Sequence, residues 1–208
     1  GREIFAFSLA LQNLCWGLFQ PISGAIADRY GAVKSIYMGS IAYGLGLYVT
    51  ATADSLWDLH IGAGILVGMG IAGTGMGVVL PALARMVSEE KRGLALGLGT
   101  AAASFGQLLV IPVAQEFIAA YGWQITLMIL AGGSMCMLLL SGPFHNDSQR
   151  AAASSLEQDQ SLSEALKEAG AHVHYWLLIA GFFVCGFQLA FITVHMPAYL
   201  SDNGFEAS

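Results

Sequence analysis

With 208 residues, 56% of them hydrophobic and only 11% charged, the chain carries less than half the charge of a water-soluble domain. Long uncharged runs and a mean hydropathy of +0.64 place it in a lipid bilayer. A net charge of −6, with eight scattered basic residues, excludes a nucleic-acid surface.

The first apolar run, 4–27, is broken only by Gln12, Asn13, Gln20 and small hydroxyls, and is long enough as a helix to cross a hydrocarbon layer of about 30 Å. Pro21 is tolerable there and is expected to bend the inner end. A short polar turn follows, Gly24-Ala-Ile-Ala-Asp28-Arg29-Tyr-Gly31-Ala-Val-Lys34, whose charges mark where the chain leaves the lipid. A second span is expected over 35–53, ended by Asp54 and Asp58 around Trp57, and a glycine-rich third over 59–86. After the charged turn Ser88–Gly93 come a fourth span, 94–120, the tight turn Tyr121-Gly122, and a fifth span, 123–140.

Residues 143–173 differ in kind, being rich in Ser, Gln, Glu and Ala. Ser161 and Glu164 form a capping-box pattern, Leu162, Ala165, Leu166 and Ala169 share one face, and Gly170 is a stop signal, which predicts a short amphipathic helix lying along the membrane surface. A sixth span is expected over about 175–200. The fold class is therefore all-α, a polytopic transmembrane helix bundle. Alternating spans put Arg29, Lys34, Arg85, Lys91, Arg92, Arg150 and Lys167 on one side and leave only Arg2 on the other, so the first side reads as cytoplasmic and the chain begins outside. Trp57, Trp123 and Trp176 fall at the expected interfaces.

The pattern G-x-x-x-D-R-x-G-x-x-K, met by Gly24, Asp28, Arg29, Gly31 and Lys34, resembles the signature loop between the second and third helices of the major facilitator superfamily of secondary transporters. Val33 departs from it, standing where the family usually has a second basic residue. Arg92-Gly93-x-Ala95-x-Gly97, Pro112, Gly122-Trp123, Gly186-Phe187-Gln188 and His195-Met196-Pro197-Ala198-Tyr199 resemble the oxalate/formate and monocarboxylate branch. The resemblance implies helices two to seven of twelve. Residues 1–142 would be the N-terminal half without its first helix, 143–173 the cytoplasmic linker, and 174–208 the first helix of the C-terminal half. A chain that opens without methionine and stops in a polar turn is read as part of a longer protein, whose remaining helices are its partners together with the bilayer. A bacterial inner membrane is the expected location. Gly64 stands where many proton-coupled relatives carry an arginine, which leaves a coupling proton or a counter-anion as alternatives.

Polar side chains within spans are costly and often functional. Gln12 and Asn13 lie about 12 to 14 Å below the outer end of their helix, and Gln107 and Gln188 about 20 Å above the inner ends of theirs, near one mid-membrane layer where transporters hold solute. Hydrogen bonding that merely joins helices is the plainer role for all four. His60 and His195 fall toward the outer mouth as candidate proton or gate residues, with a satisfied interfacial histidine as the alternative.

Gly68-Met-Gly70-Ile-Ala-Gly73 matches a dinucleotide fingerprint in letters alone, because it lies mid-span with no strand before it. Gly64, Gly68, Gly73 and Gly77, and Gly93 with Gly97, read instead as sites of close helix approach. Cys15, Cys136 and Cys185 lie in apolar runs, in odd number, and read as small hydrophobes, so neither metal nor cofactor is expected. The function read from the sequence is secondary transport of a small solute, an organic anion if the branch is right. A drug or sugar carrier, a non-transporting receptor, and an intramembrane enzyme built on Ser104 are the alternatives, the last lacking a G-x-S-x pattern and a histidine at its depth.

Overall fold

A computed structural model describes residues 2–146 and 162–204. Its elements are helical: α1 (Arg2–Tyr30), α2 (Ala32–Ala51), the short α3 (Leu56–Leu59), a π-helical turn (His60–Leu66), α4 (Val67–Thr74), α5 (Met76–Met86), α6 (Glu89–Tyr121), α7 (Trp123–Leu140), a 3-10 turn (Gly142–Asn146), α8 (Leu162–Ala171) and α9 (Val173–Asp202). They fall into two units, one up to residue 158 and one from residue 159.

The expected turn at 24–34 contracts to a single residue. Helix α1 runs through Pro21 as far as Tyr30, Gly31 takes φ 88° and ψ 152°, and α2 starts at once. That positive φ favours glycine, and the Gly31 N–H still donates to the Ala27 carbonyl at 2.9 Å, closing the end of α1. Asp28 and Arg29 therefore sit on the last turn of one helix and Lys34 on the first turn of the next. Helices α6 and α7 are joined by the same device at Gly122, with φ 81°, ψ 163° and its N–H donating to Ile118 O at 2.9 Å.

The expected third span is not one helix. It opens with a capping box, in which Ser55 Oγ accepts from the Asp58 N–H and the Asp58 carboxylate accepts from the Ser55 N–H. It continues as the π turn and α4, breaks at Gly75 (φ −75°, ψ 175°) and restarts as α5. Glycines explain how the span lies so close to its neighbours. A Cβ on Gly62 would come within 2.7 Å of Thr50 Oγ1 and 2.9 Å of the Gly46 carbonyl, one on Gly73 within 2.7 Å of Gly39 Cα, and one on Gly68 within 2.6 Å of the Gln12 carbonyl. Ser35, buried on α2, donates to Gly73 O at 3.3 Å and so satisfies a carbonyl at the frayed end of α4.

The core is correspondingly made of small residues. Ala27, Ala32, Ile36, Val78 and Ala82 form one cluster and Leu47, Val67 and Ala131 another, while Phe5, Leu18, Leu108, Phe182 and most other bulky side chains point outward. This is the membrane pattern, in which lipid is as apolar as leucine and helices associate by close backbone packing. Three stretches, Leu56–Met86, Glu89–Tyr121 and Trp123–Phe144, have both the length and the apolarity to cross a bilayer. Helices α1 and α2 have the length, at 29 and 20 residues, but α2 in particular is diluted by buried Ser35, Gly39, Ser40, Gly44, Gly46 and Thr50.

In the second unit, α8 and α9 meet at an angle of 92°. Trp176 Nε1 donates to the Gly170 carbonyl at 2.9 Å across that corner. Ser161, the expected cap, lies outside the described residues, as do Arg150 and the side chain of His195.

Candidate functional site

At the end that bears the D-R-x-G turn, Arg85 on the last turn of α5 places Nη1 3.1 Å from Asp28 Oδ1. The pair ties the first span to the third directly behind the signature turn. Arg85 is 24% exposed and Asp28 71%. The other two cations of the turn converge on one ring, Arg29 Cζ lying 5.6 Å and Lys34 Nζ 4.7 Å from the centre of Tyr30. A Cβ on Gly24 would meet nothing within 4 Å, so packing within this unit does not require glycine there.

At the other end, His60 opens the π turn. Its Nδ1 lies 2.8 Å from Oγ of Ser8, which is fully buried. The Ser8 hydroxyl also reaches the Ile4 carbonyl at 3.1 Å. One hydroxyl hydrogen serves both contacts only if it goes to Ile4 while His60 Nδ1–H donates to Ser8, which leaves Nε2 as the free acceptor. Phe7 and Trp57 flank the imidazole edge to face, at 5.0 and 6.3 Å between centroids.

Between these ends the third span breaks at Gly75. Trp16 Nε1 donates to Gln20 Oε1 at 2.9 Å, and the Gln20 amide lies directly over Gly77, where a Cβ would collide with it. Sequence reasoning counted Gln20 only as an interruption and did not single out Trp16. The signal available was the Thr-Gly-Met-Gly run at 74–77 facing an i, i+4 Trp/Gln pair.

The four amides expected at mid-membrane depth are placed as follows. Gln12 is half-buried on α1 with its backbone carbonyl under Gly68. Asn13 is exposed and spends an amide hydrogen on the Leu9 carbonyl at 2.9 Å. Gln107 is exposed on α6, and Gln188 is exposed on α9 in the second unit. Gly93 and Gly97, unlike Gly64, Gly68, Gly73 and Gly77, have nothing within 4 Å of a built Cβ. Among the described residues no three His, Cys, Asp or Glu side chains cluster as metal ligands would.

The profile of the Major Facilitator Superfamily matches residues 3–208. Monocarboxylate transporter 11 of Mus musculus is 32% identical over 129 residues, 61% of this chain and 27% of the relative. The uncharacterized MFS-type transporter YhjX of Escherichia coli K12 is 25% identical over 183 residues, covering 85% and 44%. The galacturonate transporter of Dickeya chrysanthemi is 26% identical over 173 residues, covering 80% and 48%. The chain thus spans less than half the length of these curated relatives. No solved structure matches it. A glycine-packed bundle of apolar helices, a D-R-x-G turn with its aspartate held to Arg85, and a profile match along almost the whole chain lead to one assignment: the chain belongs to the major facilitator superfamily of multi-pass membrane proteins.

Proposed function

We propose that the complete protein is a secondary transporter that moves a small organic anion by alternating access, and that this chain supplies most of its first helical half and the first helix of its second. The observation that carries the reading is the inner-end clamp. Asp28 of the signature turn is bound to Arg85, so the first and third spans of this half are held together at the face read as cytoplasmic, and the turn is a fixed unit that the other half can meet. Rocking of the two halves around a central site would make and break contacts at that turn.

The anionic solute is supported by the names of two relatives, a monocarboxylate and a galacturonate transporter. Gln107 and Gln188 would orient carboxylate oxygens by donating amide hydrogens, with Gln12 and Asn13 as further polar contacts. Amides do not neutralise a carboxylate, so a cation from another helix or a co-transported proton completes the site. His60, with Nδ1 committed to Ser8 and Nε2 free, would be the proton or gate residue on this half, and His195 its counterpart on α9. The test is competition in liposomes holding the complete protein, with oxalate, formate, lactate and pyruvate set beside a sugar and a lipophilic cation. Competition by the carboxylates alone is expected. Competition only by the sugar or the cation removes the anion reading and leaves the family.

A further inference from the structure

Where α1 gives way to α2, the core is made of small residues, and the largest side chain packed on it comes from outside the long helices. Ala27 on the last turn of α1 and Ala32, the first residue of α2, lie on either side of Gly31. With Ile36, Val78 and Ala82 they form a buried cluster, and the half-buried Phe144 packs against it from the 3-10 turn that follows α7.

That turn is held in place by its own backbone. Ser141, which ends α7, is buried, and its hydroxyl donates to the Leu138 carbonyl at 2.7 Å while its N–H donates to the Met137 carbonyl at 3.0 Å. The Ser141 carbonyl in turn accepts from the Phe144 N–H at 2.9 Å, and Pro143 fixes φ between them. The turn packs on α2 as well as on α7.

The cluster matters because of how α5 is attached. Before the break at Gly75 the third span sits backbone to backbone on its neighbours, with Gly68 under the Gln12 carbonyl, Gly70 against Tyr43 and Gly73 against Gly39. After the break, α5 turns Val78 and Ala82 into the cluster, so its approach to the ends of α1 and α2 is set by side chains. Asp28 adjoins Ala27 and Arg85 lies about one turn beyond Ala82, which puts the ion pair and the cluster at one corner. Without the phenyl ring the small residues there cannot fill the same space, and α5 must settle at a different distance from α1.

We infer that Phe144 is a positioning residue. It keys the segment after α7 into the junction of α1, α2 and α5, and thereby holds Asp28 within reach of Arg85. The stretch expected to be a linker then begins as part of the clamp. Its bearing on transport rests on the clamp reading given above, and the experiment reads the two separately.

The complete protein is prepared with Cys15, Cys136 and Cys185 replaced by Ala and with Ile36→Cys, a site 6% exposed in the cluster, as its single cysteine. Labelling by N-ethylmaleimide is timed on purified protein without solute. It is expected to be slow with Phe144, several-fold faster in Phe144→Ala, and slow again in Phe144→Leu, which restores a bulky apolar group. Leu47→Ala, a truncation in the other cluster, is the control and should leave the rate unchanged. In liposomes, with Ile36 restored, uptake by Phe144→Ala should fall to the level of Asp28→Asn, and the combined variant should be no worse, whereas Leu47→Ala and Asp28→Asn should combine multiplicatively. An unchanged labelling rate in Phe144→Ala would overturn the inference. So would multiplicative losses for Phe144→Ala with Asp28→Asn, or a loss in one of these two variants and not in the other, since Phe144 would then act without the pair. Normal uptake in both variants counts against the clamp reading, and no uptake by the parent counts against the transport reading; in either case the labelling decides the placement of Phe144.

Discussion

Replacing Asp28 by Asn removes the charge from the inner-end clamp and keeps its size. The Arg85–Asp28 distance of 3.1 Å is a good ion-pair geometry, but Asp28 is 71% exposed, and exposed pairs contribute only about 0.2 to 1 kcal/mol after solvent screening. Loss of the pair is therefore expected to lower the melting temperature of the purified protein by no more than a few degrees. Both residues belong to the first helical half, so the pair shifts the balance between states closed and open on the inside only by as much as its free energy differs between them, about 1 kcal/mol being the upper bound. A bias of about 1 kcal/mol changes that ratio roughly fivefold, because tenfold corresponds to about 1.4 kcal/mol. Uptake at matched protein level should then fall by no more than about fivefold, with expression intact. Arg85→Gln should cause a similar loss, and the double variant should be little worse than either single one, since both remove one interaction. Unchanged uptake in Asp28→Asn would mean that the turn only directs topology, and additive losses would separate Asp28 from Arg85.

Gly39→Ala should destabilise the bundle by about 1 to 3 kcal/mol, because the new Cβ would lie 2.8 Å from the backbone of Gly73, whereas Gly24→Ala should leave the melting temperature unchanged or higher; equal effects in a thermal melt would refute the packing account. Ser8→Ala, which strips His60 of its partner, should cost about 1 to 3 kcal/mol, while Ser40→Ala should be neutral or stabilising, since the fully buried Ser40 hydroxyl has no hydrogen-bond partner. Gln188→Leu should weaken apparent affinity for the anion roughly 5- to 150-fold, the equivalent of about 1 to 3 kcal/mol, and an unchanged value would make that glutamine structural. Cysteines at Gln149 and Ser201 should be protected from and open to an impermeant label, respectively, in intact cells, and the opposite pattern would invert the topology.

Much of the fold was legible because hydrocarbon leaves little choice: runs without charge had to be helices, and charged turns had to be their ends. The limits shifted where glycine acted in ways composition does not show. Gly31 lets α1 run to Tyr30, beyond the expected end at residue 27, and the extended Gly75 divides a span that reads as continuous. A π turn at His60–Leu66 leaves no mark in hydrophobic periodicity, and neither do long-range pairs such as Asp28 with Arg85 or Ser8 with His60. The glycine reading succeeded on the third span and not at Gly93 and Gly97, because spacing shows that a helix can be approached and not whether another helix is there. The mid-membrane amides stand on depth alone, since rise per residue gives height along a helix and not the direction a side chain faces.

The most direct test of the account is counterflow. Liposomes holding the complete protein are loaded with an excess of one unlabelled carboxylate, pyruvate or oxalate, and diluted into a trace of the same labelled compound. Alternating access around one central site predicts that the label rises transiently above its equilibrium level and then decays. A monotonic approach to equilibrium, or no entry of any carboxylate while a sugar or a lipophilic cation shows the overshoot, would contradict it.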